Sequence, residues 1–87
     1  MSQLGGNPEQ LAALRASFER HGQALDELAA SIRGQLEATT WHGPAADRLR
    51  AEWGSEFEPS LRRLQSALRE AGAEVARRRE ALLQAGG

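Results

Sequence analysis

The chain of 87 residues contains no cysteine, no lysine and no tyrosine. Because it has no cysteine, it cannot use a disulfide or a thiolate-bound metal to stabilise a small domain, and either redox compartment would suit it. An excess of one charge is also lacking, since eleven arginines against twelve acidic residues give a net charge of −1. Such a surface provides no field that would attract nucleic acid or an anionic membrane. Arginine used without lysine is typical of a GC-rich genome.

Long apolar runs are missing as well. No stretch approaches the roughly 20 apolar residues of a membrane-spanning helix. The opening residues, MSQLGGNPEQ, have neither the positive charge nor the apolar segment of a secretory signal peptide, so we expect any export to follow another route. Large apolar side chains are few, because 16 of the apolar residues are alanine. A small domain with so thin a core usually needs a partner chain, and we therefore expect association.

The spacing of the larger apolar residues predicts two long helices, at about 8–39 and about 44–84, joined by a turn at 40–43. Asn7 suits the N-cap of the first helix, and Pro8 suits its first position. Along each helix the apolar residues recur at seven-residue spacing, which indicates one narrow apolar stripe per helix. The stripe residues, which we predict to form the dimer interface, are Leu11, Leu14, Phe18, Leu25, Leu28, Ile32, Trp53, Phe57, Leu61, Leu64, Leu68, Val75 and Leu82.

The second stripe changes direction where the sequence reads WGSEFEP. Pro59 lacks an N–H and crowds the carbonyl of Ser55, and Gly54 adds flexibility. We therefore predict a kink near 54–59 within one helix, because the stripe resumes in a similar direction after the proline.

In a hairpin with one apolar stripe on each helix, the two stripes cover each other on one side only, and the other side of both stripes stays in water. The usual solution is a four-helix bundle built from two chains. The predicted fold is therefore all-α: residues 1–87 form a single domain, a helical hairpin that dimerises into a four-helix bundle. The partner is either a second copy or a related hairpin protein.

The turn carries the main functional signal, in the stretch TTWHGPAADRL at 39–49. Gly43 supplies the unusual φ that a tight link between helices needs. Pro44 and Asp47 suit the first turn of the second helix. Turn chemistry does not explain Trp41, whose large indole either covers the end of the bundle or docks on something outside the chain.

This stretch resembles the WXG family, the early-secreted-antigen-like small substrates of bacterial type VII secretion. Their Trp-x-Gly motif lies in the central turn of a helical hairpin, and here it corresponds to Trp41, His42 and Gly43. Ala46 and Leu49 follow at the family's small and apolar positions. The resemblance covers the whole chain in length, in the midpoint turn and in the two flanking stripes.

The resemblance implies a non-catalytic protein that is exported as a folded homodimer or heterodimer by an ATPase-driven membrane apparatus, mainly in actinobacteria and firmicutes. It also implies a second signal on one member of the pair, a tyrosine followed four residues later by an acid. The corresponding positions here carry Val75 and Arg79. We therefore expect that a partner supplies the signal to the secretion ATPase, or that the chain is not exported alone.

Two other functions stay open. The chain could be an adaptor that pairs with the helical leader of a larger exported toxin, which the missing tyrosine favours. It could also be a cytoplasmic coiled-coil dimer with a regulatory role. We expect no enzyme activity and no cofactor, because Glu56 and Glu58 face apart on a helix without a nucleophile nearby, and no glycine-rich phosphate loop is present.

The histidines and the arginine run have structural interpretations. Neither His21 nor His42 has the neighbours of a metal site, and we expect His21 to be buried and hydrogen-bonded across the dimer interface. The arginines at 77–79 point in three directions around a helix, so they form no strip for nucleic acid. We expect Arg78 to face inward and to meet an acid on the partner.

Overall fold

The computed structural model describes residues 5–86, which form a hairpin of two helical arms. The first arm is helix α1, Pro8–Ala38. The second arm consists of helix α2, Pro44–Glu52, a π-helical turn, Trp53–Phe57, and helix α3, Glu58–Gly86, which follow one another without a break. The prediction of an all-helical hairpin is confirmed. Within the described residues, no helix is long and apolar enough to cross a membrane.

The ends of the helices follow from local chemistry. The Asn7 side chain accepts a hydrogen bond of 3.0 Å from the amide of Gln10, and this caps α1. At the start of α2, Gly43 has a φ of 112°, a value that side chains with a β-carbon rarely adopt. The second arm continues to Gly86, past the end predicted near 84.

A π turn lies in a continuous helix where the kink is predicted, near 54–59. The Glu58 amide donates to the Trp53 carbonyl, five residues earlier instead of four. A wider turn directly before Pro59 relieves the crowding of its ring against the preceding turn, and the extra residue shifts the apolar stripe around the helix. The π turn therefore lies beside the Gly54 and Pro59 on which the prediction was based, and the helix continues through the proline.

The two arms run antiparallel and meet through small residues. Close to the amino terminus of α1, Arg79 Nε donates to the Pro8 carbonyl at 2.8 Å, and toward the turn Arg33 Nε donates to Glu58 at 3.0 Å. The most buried positions on the seam are small or polar, and not the large stripe residues. They are Gly22, Ala29, Ala46, Gln65 and Gly72.

The hairpin is long and thin. It measures 65 × 17 × 12 Å and has a radius of gyration of 19.3 Å. A compact chain of this length would have a radius of gyration of about 12 Å. The small residues let the backbones approach so closely that the large apolar side chains are displaced to the edge of the seam.

We predict that Gly72→Leu destabilises the fold, whereas Gly34→Leu stabilises it. Both changes gain helix propensity, about 0.5–1 kcal/mol. A β-carbon at Gly72 would lie 3.4 Å from the Phe18 β-carbon, so a leucine there forces the arms apart at a cost of about 1–3 kcal/mol. Gly34 has open space. Thermal melts followed by circular dichroism should therefore move in opposite directions, and shifts of the same sign would contradict close packing at Gly72.

Candidate interaction surface

The buried positions define three rows along each arm. Gly22 and Ala29 on α1, with Gln65 and Gly72 on α3, form the inner row at seven-residue spacing. Residues three positions after each inner-row position form the edge row. Residues three positions after each edge-row position form the outer row. The edge row consists of Leu11, Phe18, Leu25, Ile32, Leu61, Leu68, Val75 and Leu82 and is half-buried. The outer row consists of Leu14, His21, Leu28, Gln35, Phe57, Leu64, Ala71, Arg78 and Ala85, and all but Ala71 are exposed.

The edge and outer rows of both arms lie on the same side of the hairpin. In an antiparallel pair, helix positions that flank the seam meet their equivalents on the partner helix. The opposite flank shows this directly, since Arg62 reaches Asp26 at 3.4 Å across the arms. One side of the hairpin is therefore charged, and the other, which we call the apolar face, combines the edge and outer rows.

A charged cluster holds the π turn against α1. The Glu58 carboxylate accepts from Arg33 Nε at 3.0 Å and from the Trp53 indole N–H at 2.9 Å, while Arg62 lies 3.5 Å away. The Trp53 ring also packs at a tilt against Phe57, with 6.3 Å between the ring centroids. The cluster thus holds Trp53 against α1 within its own chain, and its predicted place in the dimer interface stays a prediction.

The same cluster shifts the acidity of its members. The hydrogen bond from Arg33 holds the pKa of Glu58 below its ordinary value, partial burial opposes this, and the Trp53 N–H supports it. The side chain of Glu58 is 17% exposed. The pKa of Arg33 is raised in turn by the hydrogen bond to the carboxylate. Glu58 is therefore a charged anchor, and not half of an acid pair with Glu56.

The turn is held by Arg50, whose guanidinium donates to three carbonyls of the preceding segment. Nε bonds Leu36 at 3.1 Å, one terminal nitrogen bonds Trp41 at 2.8 Å, and the other bonds Thr39 at 2.9 Å. The last carbonyls of a helix need partners outside it, and the planar fork of arginine can serve several at once. The backbone of Trp41 is therefore fixed, although the residue lies outside any helix.

Trp41 is 39% exposed, so its indole neither fills a core nor projects fully into water. His42, Gly43 and Pro44 beside it are exposed as well. Between the turn and the π turn lies a surface groove of about 220 Å³, lined by Arg33, Leu36, Glu37, Arg50, Trp53, Gly54 and Glu58.

One expectation about a single residue needs correction, and another stays a prediction. His21 is exposed in the single chain, where it lies in the outer row, and its burial across a dimer interface stays a prediction. Arg78 does not face inward: it binds Glu74 on its own helix at 2.6 Å, and its side chain is exposed. The inward arginine is Arg79, because seven-residue steps from the buried Gly72 lead to residue 79.

The sequence reading missed the small seam residues and Arg50. Gly22 and Gly72 gave no apolar signal, although their seven-residue spacing to Ala29 and Gln65 could have identified a close-packed seam. Arg50 had no signal at all, since its partners are backbone carbonyls in a turn whose path the sequence did not define.

Comparison of the chain with protein-family models, with curated proteins and with solved structures finds no match. The resemblance to the WXG family therefore depends on the turn motif and on the helical hairpin alone.

We predict that Glu58→Gln flattens the acid limb of the stability profile. Because the folded state lowers the pKa of Glu58, its contribution is present at neutral pH and is lost as the pH falls through the folded-state pKa, below about pH 5. Melting temperatures measured between pH 7 and pH 3 should fall less steeply in this variant than in the wild type. Glu56→Gln is the control and should keep the wild-type slope; equal slopes for all three proteins would contradict the anchoring role.

Proposed function

We propose that this protein is a small non-catalytic interaction module that dimerises through its apolar face into a four-helix bundle. We further propose, from the resemblance to the WXG family, that it serves a type VII secretion system as a substrate or as the signal-less partner of one. It would then be folded and paired in the cytoplasm before export. The observation that carries the proposal is the apolar face, where large side chains of both arms stay half-buried or exposed.

The surface area supports dimerisation. The chain exposes 6318 Å², whereas a compact monomer of this mass exposes about 5,000 Å². A standard interface removes about 800 Å² from each partner. The excess surface of the hairpin is therefore large enough for such an interface, and covering apolar area stabilises a complex by roughly 25 cal/mol per Å² before the costs of association.

The turn supports a recognition role for Trp41. Arg50 fixes the backbone of this residue while the indole remains partly exposed. In an antiparallel dimer the turn of one chain lies near the end of α3 of the other. Trp41 would therefore lie beside the position at which the family's partner carries its tyrosine signal, and the two would form one surface.

The positions that correspond to the missing signal have structural roles here. Val75 is half-buried in the edge row, and Arg79 donates to the Pro8 carbonyl at 2.8 Å. This favours a chain whose partner provides the export signal, and it also suits the second candidate, an adaptor that pairs with the helical leader of a larger exported toxin.

We predict that Leu28→Asp and Leu64→Asp each separate the dimer. Both leucines lie on the apolar face, 45% and 49% exposed in the single chain, and a charge at a covered site has no partner. Leu83→Asp is the matched control, because Leu83 is 42% exposed but lies on the charged side. Light scattering at micromolar concentration should give single chains for the first two variants and paired chains for the control. Dimers in all three would place the interface elsewhere.

We also predict that Trp41→Ala abolishes export of the pair while leaving folding and dimerisation intact. The chain would be co-expressed with a tyrosine-bearing hairpin partner, and secretion would be measured beside melting temperature and dimer content. His42→Ala, at the exposed neighbouring position, should be exported normally. Truncating a fully buried large aromatic side chain costs about 3–5 kcal/mol of folding stability. If Trp41→Ala lost that much stability and also lost export, Trp41 would be a structural cap and not a recognition residue.

A further inference from the structure

A second surface lies on the charged side of the hairpin, opposite the apolar face. The groove of about 220 Å³ between the turn and the π turn opens on this side, because its wall residue Arg33 follows Asp26 by seven residues. Asp26 belongs to the charged side through its contact with Arg62. A dimer that buries the apolar face therefore leaves the groove open.

The floor of the groove is apolar, and its walls are held in place. Leu36 and Trp53, both half-buried, form the floor. At one end the Trp53 indole donates to Glu58, which also accepts from Arg33 on the facing arm, so the two walls are joined. At the other end Arg50 joins them through its hydrogen bond to the Leu36 carbonyl. A site with fixed walls loses little conformational entropy when a ligand binds.

Gly54 keeps the middle of the groove open. Its backbone does not need glycine, since the glycines with a positive φ in the described chain are Gly6 and Gly43. A β-carbon at Gly54 would meet no atom within 4 Å, so packing does not need glycine either. Glycine is less favourable than alanine inside a helix. The groove explains its presence, because a large side chain at this lining position would occupy the space.

The groove has room for one aromatic side chain. A cavity of about 150 Å³ already admits a benzene ring, and this groove is larger. A ring that entered it would contact the Trp53 indole, and aromatic pairs stabilise a complex beyond the apolar area that they bury.

The charges of the groove favour a carboxylate beside that ring. Arg33 and Glu58 neutralise each other at 3.0 Å. Arg50 is half-buried, its hydrogen bonds go to three neutral carbonyls, and no ion pair within the described residues includes it. Those bonds use three of its five N–H groups. Glu37 on the α1 wall opposes an acidic ligand only weakly, because it is exposed and water screens its charge.

We propose that this groove docks an acidic segment of a partner protein, which inserts one aromatic side chain over Gly54 and places a carboxylate on Arg50. The site goes beyond the function proposed above and does not depend on it, since the groove lies within one chain. A hairpin paired through its apolar face would carry this further protein on the opposite side.

A defined peptide tests the chemistry of the ligand. The probe is a short capped peptide in which one phenylalanine lies between two aspartates, titrated into the isotope-labelled full chain. The indole N–H signal of Trp53, identified as the one that remains in Trp41→Phe, should shift and saturate. A peptide with asparagine in place of aspartate should bind about two- to fivefold more weakly. A peptide with alanine in place of phenylalanine should give no saturable shift.

Three variants test the place of binding. Gly54→Leu fills the groove and should weaken binding by about tenfold or more. Gly34→Leu is the matched control, because this glycine also faces open space but lies outside the groove, and it should bind the peptide as the wild type does. Both variants should keep or raise the melting temperature, since both gain helix propensity. Glu37→Gln removes a repelling charge and should tighten binding about twofold.

The contrary outcomes are distinct. No saturable shift in the wild type would remove the site, and equal binding by Gly54→Leu and Gly34→Leu would place the peptide elsewhere. Equal binding of the aspartate and asparagine peptides would contradict an acidic partner. If Gly54→Leu loses melting temperature together with binding, Glu37→Gln decides: tighter binding supports the groove, and unchanged or weaker binding contradicts it.

Discussion

The close contact of the two arms at small residues is the constraint on which the rest of the structure depends. Gly22, Ala29 and Gly72 leave no room for large side chains between the helices. The leucines and phenylalanines therefore lie at the edge of the seam, where a single hairpin can cover only part of each. A seam of this kind stabilises the hairpin through close backbone contact and leaves its large apolar side chains half-buried or exposed.

Polar contacts fix both ends of the segment formed by α2 and the π turn. Arg50 holds the turn through three carbonyls, and Glu58 joins the π turn to α1 through Arg33 and Trp53. These contacts determine where the arms lie relative to each other, because the turn alone contains few packing residues. The π turn also brings the stripes before and after Pro59 onto one seam, which an unbroken α-helix with that sequence spacing would not do.

Much of the fold could be predicted from the sequence, because helix periodicity and caps are local signals. The seven-residue spacing, Asn7 and Gly43 gave two helices and a midpoint turn. The spacing of the large apolar residues could not predict which positions lie buried between the arms and which lie on the exposed face. The seam is built largely from glycine and alanine, and these residues contribute little to a hydrophobic pattern. The role of Arg50 could not be predicted either, because it depends on backbone carbonyls brought together only by the turn. The seven-residue spacing that includes His21 belongs to the exposed outer row, which the apolar pattern alone does not distinguish from the seam.

The central claim is that the apolar face is covered by another chain. Sedimentation equilibrium of the wild-type protein across a dilution series tests it most directly, because the method reads the number of chains per particle without any variant. The account predicts particles of two chains at micromolar concentration that separate into single chains on dilution. A stable single chain throughout that range, with undiminished helical signal, would contradict it.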